Sequence, residues 1–272
     1  KGRIQMWEES NESGASQEAR VLTQGDYVGV PHNTKHTFQS VDDDTQVTHV
    51  FVPGGLEEIY LANAISDWNS STYAEYAIIS GNSSGAPFRT SNQDFYLTNM
   101  QPRRDLVNGT AGAPGYNWHN GSNPLAESPT SYSFIAQNYG PKFLNAENGY
   151  KVITPLVTPG QSGGNFTMGQ ITMSAPMPNE TLASTLLTDH TAFQMDEGQL
   201  VLHVDGYDPV DIIQGDVAFI PANTNFTYSS AVPFTKFVYF SGGSNGIDIQ
   251  LLNKSIPWDY PVYPNYVGYV AS

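Results

Sequence analysis

Short apolar runs separated by turn residues dominate the hydrophobic pattern of this chain. Runs rich in β-branched and aromatic residues cover Tyr27 to Val30, Val47 to Val52, Val217 to Ile220 and Phe234 to Phe240, with Gly, Pro, Asn and Asp at their ends. These features are typical of β-strands. One helical period runs from Leu56 to Ala64. The pattern predicts an all-β protein built from sandwich or barrel units.

The chain also contains an internal repeat. Residues 25–40 read GDYVGVPHNTKHTFQS, and residues 215–230 read GDVAFIPANTNFTYSS, and the two align without gaps. Their flanking segments match in the same order and at similar spacing. Such similarity at three successive blocks predicts two barrels of one design.

The repeat divides the chain into three parts. Residues 1–65 are predicted to form the C-terminal part of a first barrel, and residues 132–272 a second barrel with a C-terminal arm. Residues 66–131 are rich in Asn, Ser, Gly and Pro, which predicts an inter-domain linker.

The composition of the chain argues against two classes of binding partner, nucleic acids and membranes. Eleven Lys and Arg residues against 26 Asp and Glu residues give a net charge of -15, which repels nucleic acid and anionic membrane surfaces. No apolar run is long enough to span a bilayer. We therefore expect neither a nucleic-acid nor a membrane partner.

Glycosylation signals predict a secreted, extracellular eukaryotic protein. Asn-x-Ser/Thr acceptors occur along the whole chain, more often than chance would place them. They outweigh the absence of cysteine, which alone would favour a reducing compartment. The acceptors are Asn11, Asn69, Asn82, Asn108, Asn120, Asn165, Asn179, Asn225 and Asn253.

The first repeat carries a motif with a candidate metal ligand. Gly25, Pro31, Asn33 and His36 are spaced as G-x5-P-x-N-x2-H. This resembles the second motif of the cupin superfamily, G-x5-P-x-G-x2-H-x3-N, with Ser40 at the final position. Asn33 suits its position because asparagine also adopts left-handed backbone conformations. His36 is thus the predicted metal ligand.

The paired motif blocks, the segments VPHNTKHTFQ and VFVPGGLEE and the long linker resemble the fungal quercetin 2,3-dioxygenases. The resemblance implies a bicupin, with two cupin (jelly-roll) β-barrels joined by a long linker. It also implies a dioxygenase that cleaves the heterocyclic ring of quercetin-type flavonols with O2, giving a depside and carbon monoxide. The implied cofactor is copper. Nickel, iron and manganese remain open, because the same ligands accept them.

The resemblance places the remaining ligands, two histidines and one glutamate, before Lys1. We expect a companion N-terminal polypeptide to carry them. The equivalent positions of the second repeat are Ser184, Leu186, Thr191 and Phe226. None of these side chains offers an imidazole or a carboxylate, which predicts a metal-free second barrel.

The resemblance also implies an apolar pocket for the flavonol. Phe38 lies two residues beyond His36, on the same face of a strand. The residues expected to contact substrate are Phe38, Val47, Phe51, Leu56 and Tyr60. His32 is interpreted as a rim residue, and the remaining histidines as surface or hydrogen-bonded residues.

Two other functions remain open at this point. The chain fits a non-catalytic bicupin, for storage or small-molecule binding, that has lost its metal. It also fits a cupin oxygenase for another small phenolic. Metal content and oxygen-dependent bleaching of quercetin distinguish the first from an enzyme. A homodimer is left open as well.

Overall fold

The structure, a computed structural model, describes residues 1–9, 17–56, 58 and 102–259. Its strands are β1 (Ile4–Glu9), β2 (Gln17–Leu22), β3 (Tyr27–Gly29), β4 (His36–Ser40), β5 (Leu106–Val107), β6 (Thr110–Ala111), β7 (Ser133–Ile135), β8 (Phe143–Asn145), β9 (Lys151–Val157), β10 (Phe166–Met173), β11 (Thr185–Leu186), β12 (Thr191–Glu197), β13 (Gln199–Val204), β14 (Val210–Ile213), β15 (Val217–Ile220), β16 (Asn225–Ser230), β17 (Thr235–Gly242) and β18 (Ser255–Pro257). Its helices are α1 (Pro159–Ser162) and α2 (Ile247–Leu252).

The described strands form two jelly-roll units. In the second, a seven-stranded sheet in the order β15-β12-β17-β10-β9-β8-β18 faces a four-stranded sheet in the order β11-β16-β13-β14. In the first, β2-β1-β4 form a three-stranded sheet and β3 pairs with β7. The predicted all-β, two-barrel fold is confirmed.

The two repeats share one strand register. Ile4 lies opposite Ser40 in the first repeat, and Leu200 lies opposite Ser230 in the second. Each later pair along β1 and β4 matches a pair along β13 and β16. The repeat seen in the sequence is therefore a repeat of three-dimensional structure, and equivalent positions can be compared directly.

The Gly-Asp turn explains part of this agreement. Gly25 and Gly215 have φ angles of 85° and 92°, which glycine adopts without a Cβ clash. The Asp26 carboxylate accepts a hydrogen bond of 2.7 Å from the Thr23 backbone N–H. Asp216 accepts one of 2.9 Å from Ile213 in the same way. Both turns therefore deliver the next strand in the same direction.

The second barrel is filled by its own side chains. Phe193, Phe226 and Phe237 are almost completely buried, and the ring centroids of Phe193 and Phe237 lie 4.9 Å apart. Leucine, isoleucine and methionine side chains complete this core. Close packing of this kind leaves the barrel interior occupied by protein.

One predicted strand is wrong. Residues 47–52 form no strand, although their sequence has strong β character. The equivalent strand of the second repeat, β17, is held between β10 and β12. Residues 47–52 pair with no described strand, and an extended segment without a ladder is not a strand. Helical geometry begins at Leu56, as predicted, but most of that helix lies outside the described residues.

Part of the predicted linker packs on the first repeat. The Arg103 N–H donates to the Ala19 carbonyl at 3.0 Å, which extends the sheet at β2. Trp118 is buried beside Met6 and Leu22. The predicted boundaries at residues 65 and 131 stay predictions, because residues 59–101 lie outside the described residues. In the described part of the chain, no helix is long and apolar enough to cross a membrane.

Candidate metal and substrate site

A tight turn positions His36 at the first residue of β4. Asn33 adopts a φ of 63°, the left-handed conformation predicted for it, and the Thr34 N–H donates to the Pro31 carbonyl at 3.2 Å. The His36 Nδ1 atom lies 2.9 Å from the Thr34 carbonyl oxygen. A carbonyl oxygen only accepts, so Nδ1 must carry the proton. This bond fixes the tautomer and keeps the lone pair on Nε2, the arrangement found in metal-ligating histidines.

His36 faces a polar partner across the sheet. In the first repeat Glu8 lies opposite His36, whereas in the second repeat Val204 lies opposite Phe226. Val204 and Phe226 both pack in the core of the second barrel. The shared register therefore places Glu8 and His36 on the sheet face that corresponds to the core of the second barrel. Glu8 is buried on this face, and His36 is exposed. The same pair of positions is apolar in one barrel and polar in the other.

Glu8 is deeply buried without a hydrogen bond. Glu8 is 1% exposed, and neither of its carboxyl oxygens has a hydrogen-bonding partner among the described residues. Burial raises the pKa of Glu8 to about 8, with a further increase from Glu18 and an opposing effect from Arg20. Burial also raises the pKa of Tyr27 well above its usual value, and the nearby Glu8 adds to this increase.

A second histidine, His49, lies near His36 and is also exposed. His49 aligns with Phe237, a core residue of the second barrel. Burial lowers the pKa of His49, and the neighbouring His36 lowers it further. The His49 ring makes edge contacts with Phe38 at 5.9 Å and Phe51 at 5.6 Å between centroids. Neither Glu8 nor His49 was predicted from the sequence as a site residue, although the alignment of both with apolar core residues of the second repeat could have identified them.

The predicted substrate residues fall into three groups. Phe38, Val47 and Phe51 are exposed, and His49 connects the two aromatic rings into one surface beside His36. Leu56 is half-buried at the start of the helical segment. Tyr60 lies outside the described residues. Assignment of these residues to substrate contact stays a prediction.

The equivalent positions of the second barrel are occupied by side chains without an imidazole or a carboxylate. The Thr191 hydroxyl donates to the Phe240 carbonyl at 2.8 Å, and Phe226 is 1% exposed in the core. Ser184 and Leu186 are exposed at the barrel surface. The nearby His190 accepts a hydrogen bond of 3.0 Å from the Ala222 N–H through Nδ1, so its ring also has a structural role.

The described residues supply an incomplete set of metal ligands. No group of three or more His, Cys, Asp or Glu side chains in the described ranges is arranged to hold a metal ion. The tautomer of His36 suits one ligand position, because its Nε2 lone pair is kept available. The chemistry of the site therefore fits a metal with one imidazole from this part of the chain.

The predicted glycosylation sites that the structure describes are all accessible. Their asparagine side chains are exposed, which permits attachment of a bulky sugar. These residues are Asn108, Asn120, Asn165, Asn179, Asn225 and Asn253. Asn11, Asn69 and Asn82 lie outside the described residues.

Two jelly-roll repeats with a motif histidine in the first define a bicupin. The chain is 37% identical over 272 residues to the quercetin 2,3-dioxygenase of Aspergillus japonicus, in an alignment that covers 97% of this chain and 77% of that protein. It belongs to the quercetin 2,3-dioxygenase family, and so to the dioxygenases of the cupin superfamily.

Solved structures are also similar to parts of the chain. An ethanolamine utilization protein from Salmonella typhimurium is 23% identical, with a TM-score of 0.31, over 37% of this chain and 76% of that one. A cupin with a double-stranded β-helix from Methanocaldococcus jannaschii is 14% identical, with a TM-score of 0.29, over 35% of this chain and 81% of that one. No protein-family model matches the sequence.

Proposed function

We propose that this protein is a metal-dependent flavonol dioxygenase that converts a quercetin-type flavonol and O2 into a depside and carbon monoxide. The observation that carries the proposal is that the polar residue His36 stands where the second barrel has an apolar core residue. His36 lies beside the rings of Phe38 and His49. Family membership supports the same reaction class. The oxidant is O2, and both of its oxygen atoms enter the product while one ring carbon leaves as carbon monoxide.

His36 would hold the metal through Nε2, and we propose copper as the metal. A bound copper ion lowers the pKa of a coordinated hydroxyl and lets electron density pass towards oxygen. The contribution of His36 is orientation, because the Nδ1–H bond to Thr34 fixes the ring before any ligand arrives.

The aromatic surface would hold the flavonol rings. Phe38 and Phe51 offer apolar rings that each contact the His49 ring, and a fused aromatic substrate packs against such side chains in offset or edge geometry. Val47 lies on the same segment as His49 and is also exposed. These side chains would exclude water from the heterocyclic ring and fix its position relative to His36.

We also propose that a companion N-terminal polypeptide completes the first barrel. Phe38 is 44% exposed and Phe51 41%, whereas Tyr228 and Tyr239, at the equivalent positions, are 9% and 0% exposed. An interior surface of this kind calls for covering strands. The companion would bring two histidines and one glutamate, the other ligands of a four-ligand site.

Metal analysis combined with an oxygen assay tests the function. About one copper per molecule, loss of quercetin absorbance only under O2, and release of carbon monoxide are the expected results. A metal-free protein that leaves quercetin intact would instead be a non-catalytic bicupin. Intact-mass analysis under denaturing conditions tests the companion, since a copper-loaded protein with no additional polypeptide would contradict it.

We further propose secretion with sugar on the exposed acceptor sites. The accessibility of the described acceptor asparagines supports the proposal. A fall in mass on treatment with a peptide N-glycosidase is the expected result, and an unchanged mass would contradict it.

A further inference from the structure

Glu8 is a buried acid for which the fold supplies no partner. Both of its carboxyl oxygens are buried, and no described residue hydrogen-bonds either of them. Buried polar groups are nearly always bonded to protein, water or ligand, because leaving one unsatisfied is costly. An exception of this size calls for a binding partner from outside the described fold.

The neighbouring guanidinium group of Arg20 does not act as the hydrogen-bonding partner of Glu8. The Arg20 side chain forms an ion pair with Glu18, donates to the Ala19 carbonyl at 3.0 Å, and stacks on the Phe134 ring at 5.0 Å. Its hydrogen bonds are therefore directed away from Glu8. Glu8 lies between Glu18 on one neighbouring strand and His36 on the other, and neither residue donates to it.

The second barrel shows that the fold does not need an acid here. Val204 takes the same register position opposite Phe226 and packs against the core. An apolar side chain thus satisfies the barrel at this point. The first barrel has a carboxyl group instead, directly across the sheet from the candidate metal ligand.

The position of Glu8 in the sheet indicates which kind of ligand its carboxyl group can contact. Side chains directly opposite each other on paired strands have Cβ atoms about 4.5–5.5 Å apart. A small molecule that enters the barrel beside His36 would therefore come close to the buried carboxyl group of Glu8. A carboxyl oxygen suits a phenolic hydroxyl, which donates one hydrogen bond and accepts another.

We propose that Glu8 is a specificity-determining residue that hydrogen-bonds a ring hydroxyl of a polyhydroxylated phenolic substrate, separate from the hydroxyl at the reacting centre. This inference rests on the proposed function, and it names the feature of the substrate that the site selects. A site built to bond a hydroxyl discriminates strongly against an analogue that lacks it.

Two substitutions and two probes test this role. Glu8→Val copies the second barrel, and Glu8→Gln keeps an oxygen acceptor in the same place. The probes are quercetin and 3-hydroxyflavone, which shares only the hydroxyl at the reacting centre. The affinity of each probe for the natural protein and for each variant is measured by anaerobic titration of the metal-loaded protein. Without oxygen, binding is observed without turnover.

Glu8→Val is expected to weaken quercetin binding about tenfold or more, and to change 3-hydroxyflavone binding less than about twofold. Glu8→Gln is expected to restore most of the quercetin affinity. The thermal midpoint of Glu8→Val should equal or exceed that of the natural protein, because an unsatisfied buried acid is removed. Glu9→Gln, the next residue on the same strand, is the matched control and should leave both affinities unchanged.

Unchanged quercetin affinity in Glu8→Val, or an equal loss for both probes, would overturn the inference. Failure of the proposed function is observed separately, as binding of quercetin without oxygen consumption by the natural protein. If the natural protein binds neither probe, both proposals fall.

Discussion

The Nε2 atom of His119 lies 2.8 Å from the Asp26 carboxylate and joins the turn before β3 to the segment that follows β6. The Asp26 side chain is completely buried in this contact. The same carboxylate accepts hydrogen bonds from the backbone N–H groups of Thr23, at 2.7 Å, and Gln137, at 2.9 Å. One carboxylate therefore joins three parts of the chain that are distant in sequence.

Asp26→Ala should accordingly destabilise the protein by about 2–4 kcal/mol, because several donors lose one buried acceptor together. Asp216→Ala is the matched control. Asp216 makes the same turn bond to Ile213 but is exposed, so a loss below about 1 kcal/mol is expected. Urea unfolding measures both changes, and equal losses would show that the contact with His119 contributes little.

His36→Ala should remove the bound metal. Loss of one imidazole from a four-ligand site reduces affinity by orders of magnitude, and activity falls with metal content. His32→Ala is the control, because His32 lies in the turn before β4 and is exposed; the metal content of this variant should stay unchanged. Metal analysis after dialysis decides the question, and full retention of metal in His36→Ala would remove His36 from the site.

Phe226→Ala should cost about 3–5 kcal/mol, because it opens a cavity in a close-packed aromatic core. The ring centroids of Phe226 and Phe193 lie 6.0 Å apart, and Phe226 is almost inaccessible to solvent. Phe219→Ala, at a position 64% exposed, should cost less than about 1 kcal/mol. A small loss for Phe226→Ala would mean that the second barrel is less tightly filled than its packing indicates.

Lys151 should make stability depend on pH in the alkaline range. Burial lowers the pKa of Lys151 from 10.5 to about 8. Between these values the unfolded chain binds more protons than the folded one, so stability rises as pH increases from about 8 towards 10.5. Below about pH 8 the full cost of a buried ammonium is present.

Lys151→Met should remove this contribution, leaving a variant whose stability gains about 1–2 kcal/mol less than that of the natural protein over the same interval. Lys254→Met is the control, since Lys254 is an exposed partner of Glu147. Urea midpoints at pH 8 and pH 10 provide the measurement. Parallel curves for natural protein and Lys151→Met would contradict the assignment.

Local chemistry allowed much of this structure to be predicted. The Gly-Asp turn and the left-handed Asn33 depend on residues within a few positions of each other. The spacing of the motif located His36 because the turn fixes the start of β4. Such short-range constraints are visible in a single sequence.

Features that depend on strand neighbours were harder to predict. Residues 47–52 have a strand-like sequence, but strand formation also requires a partner, and sequence pattern alone does not supply one. Glu8 matches no motif, and its burial becomes apparent only when β1 is aligned with β4. Assignment of polar residues to the barrel interior required the register of the two sheets.

The shared register of the two repeats also bears on how the molecule comes apart. Where the second barrel has Val204, Phe226 and Phe237, the first has Glu8, His36 and His49. The first barrel therefore has polar side chains, and less cohesive packing, at these three positions. On heating or in denaturant, the backbone amides of the first barrel should lose their protection first, while the second barrel stays folded.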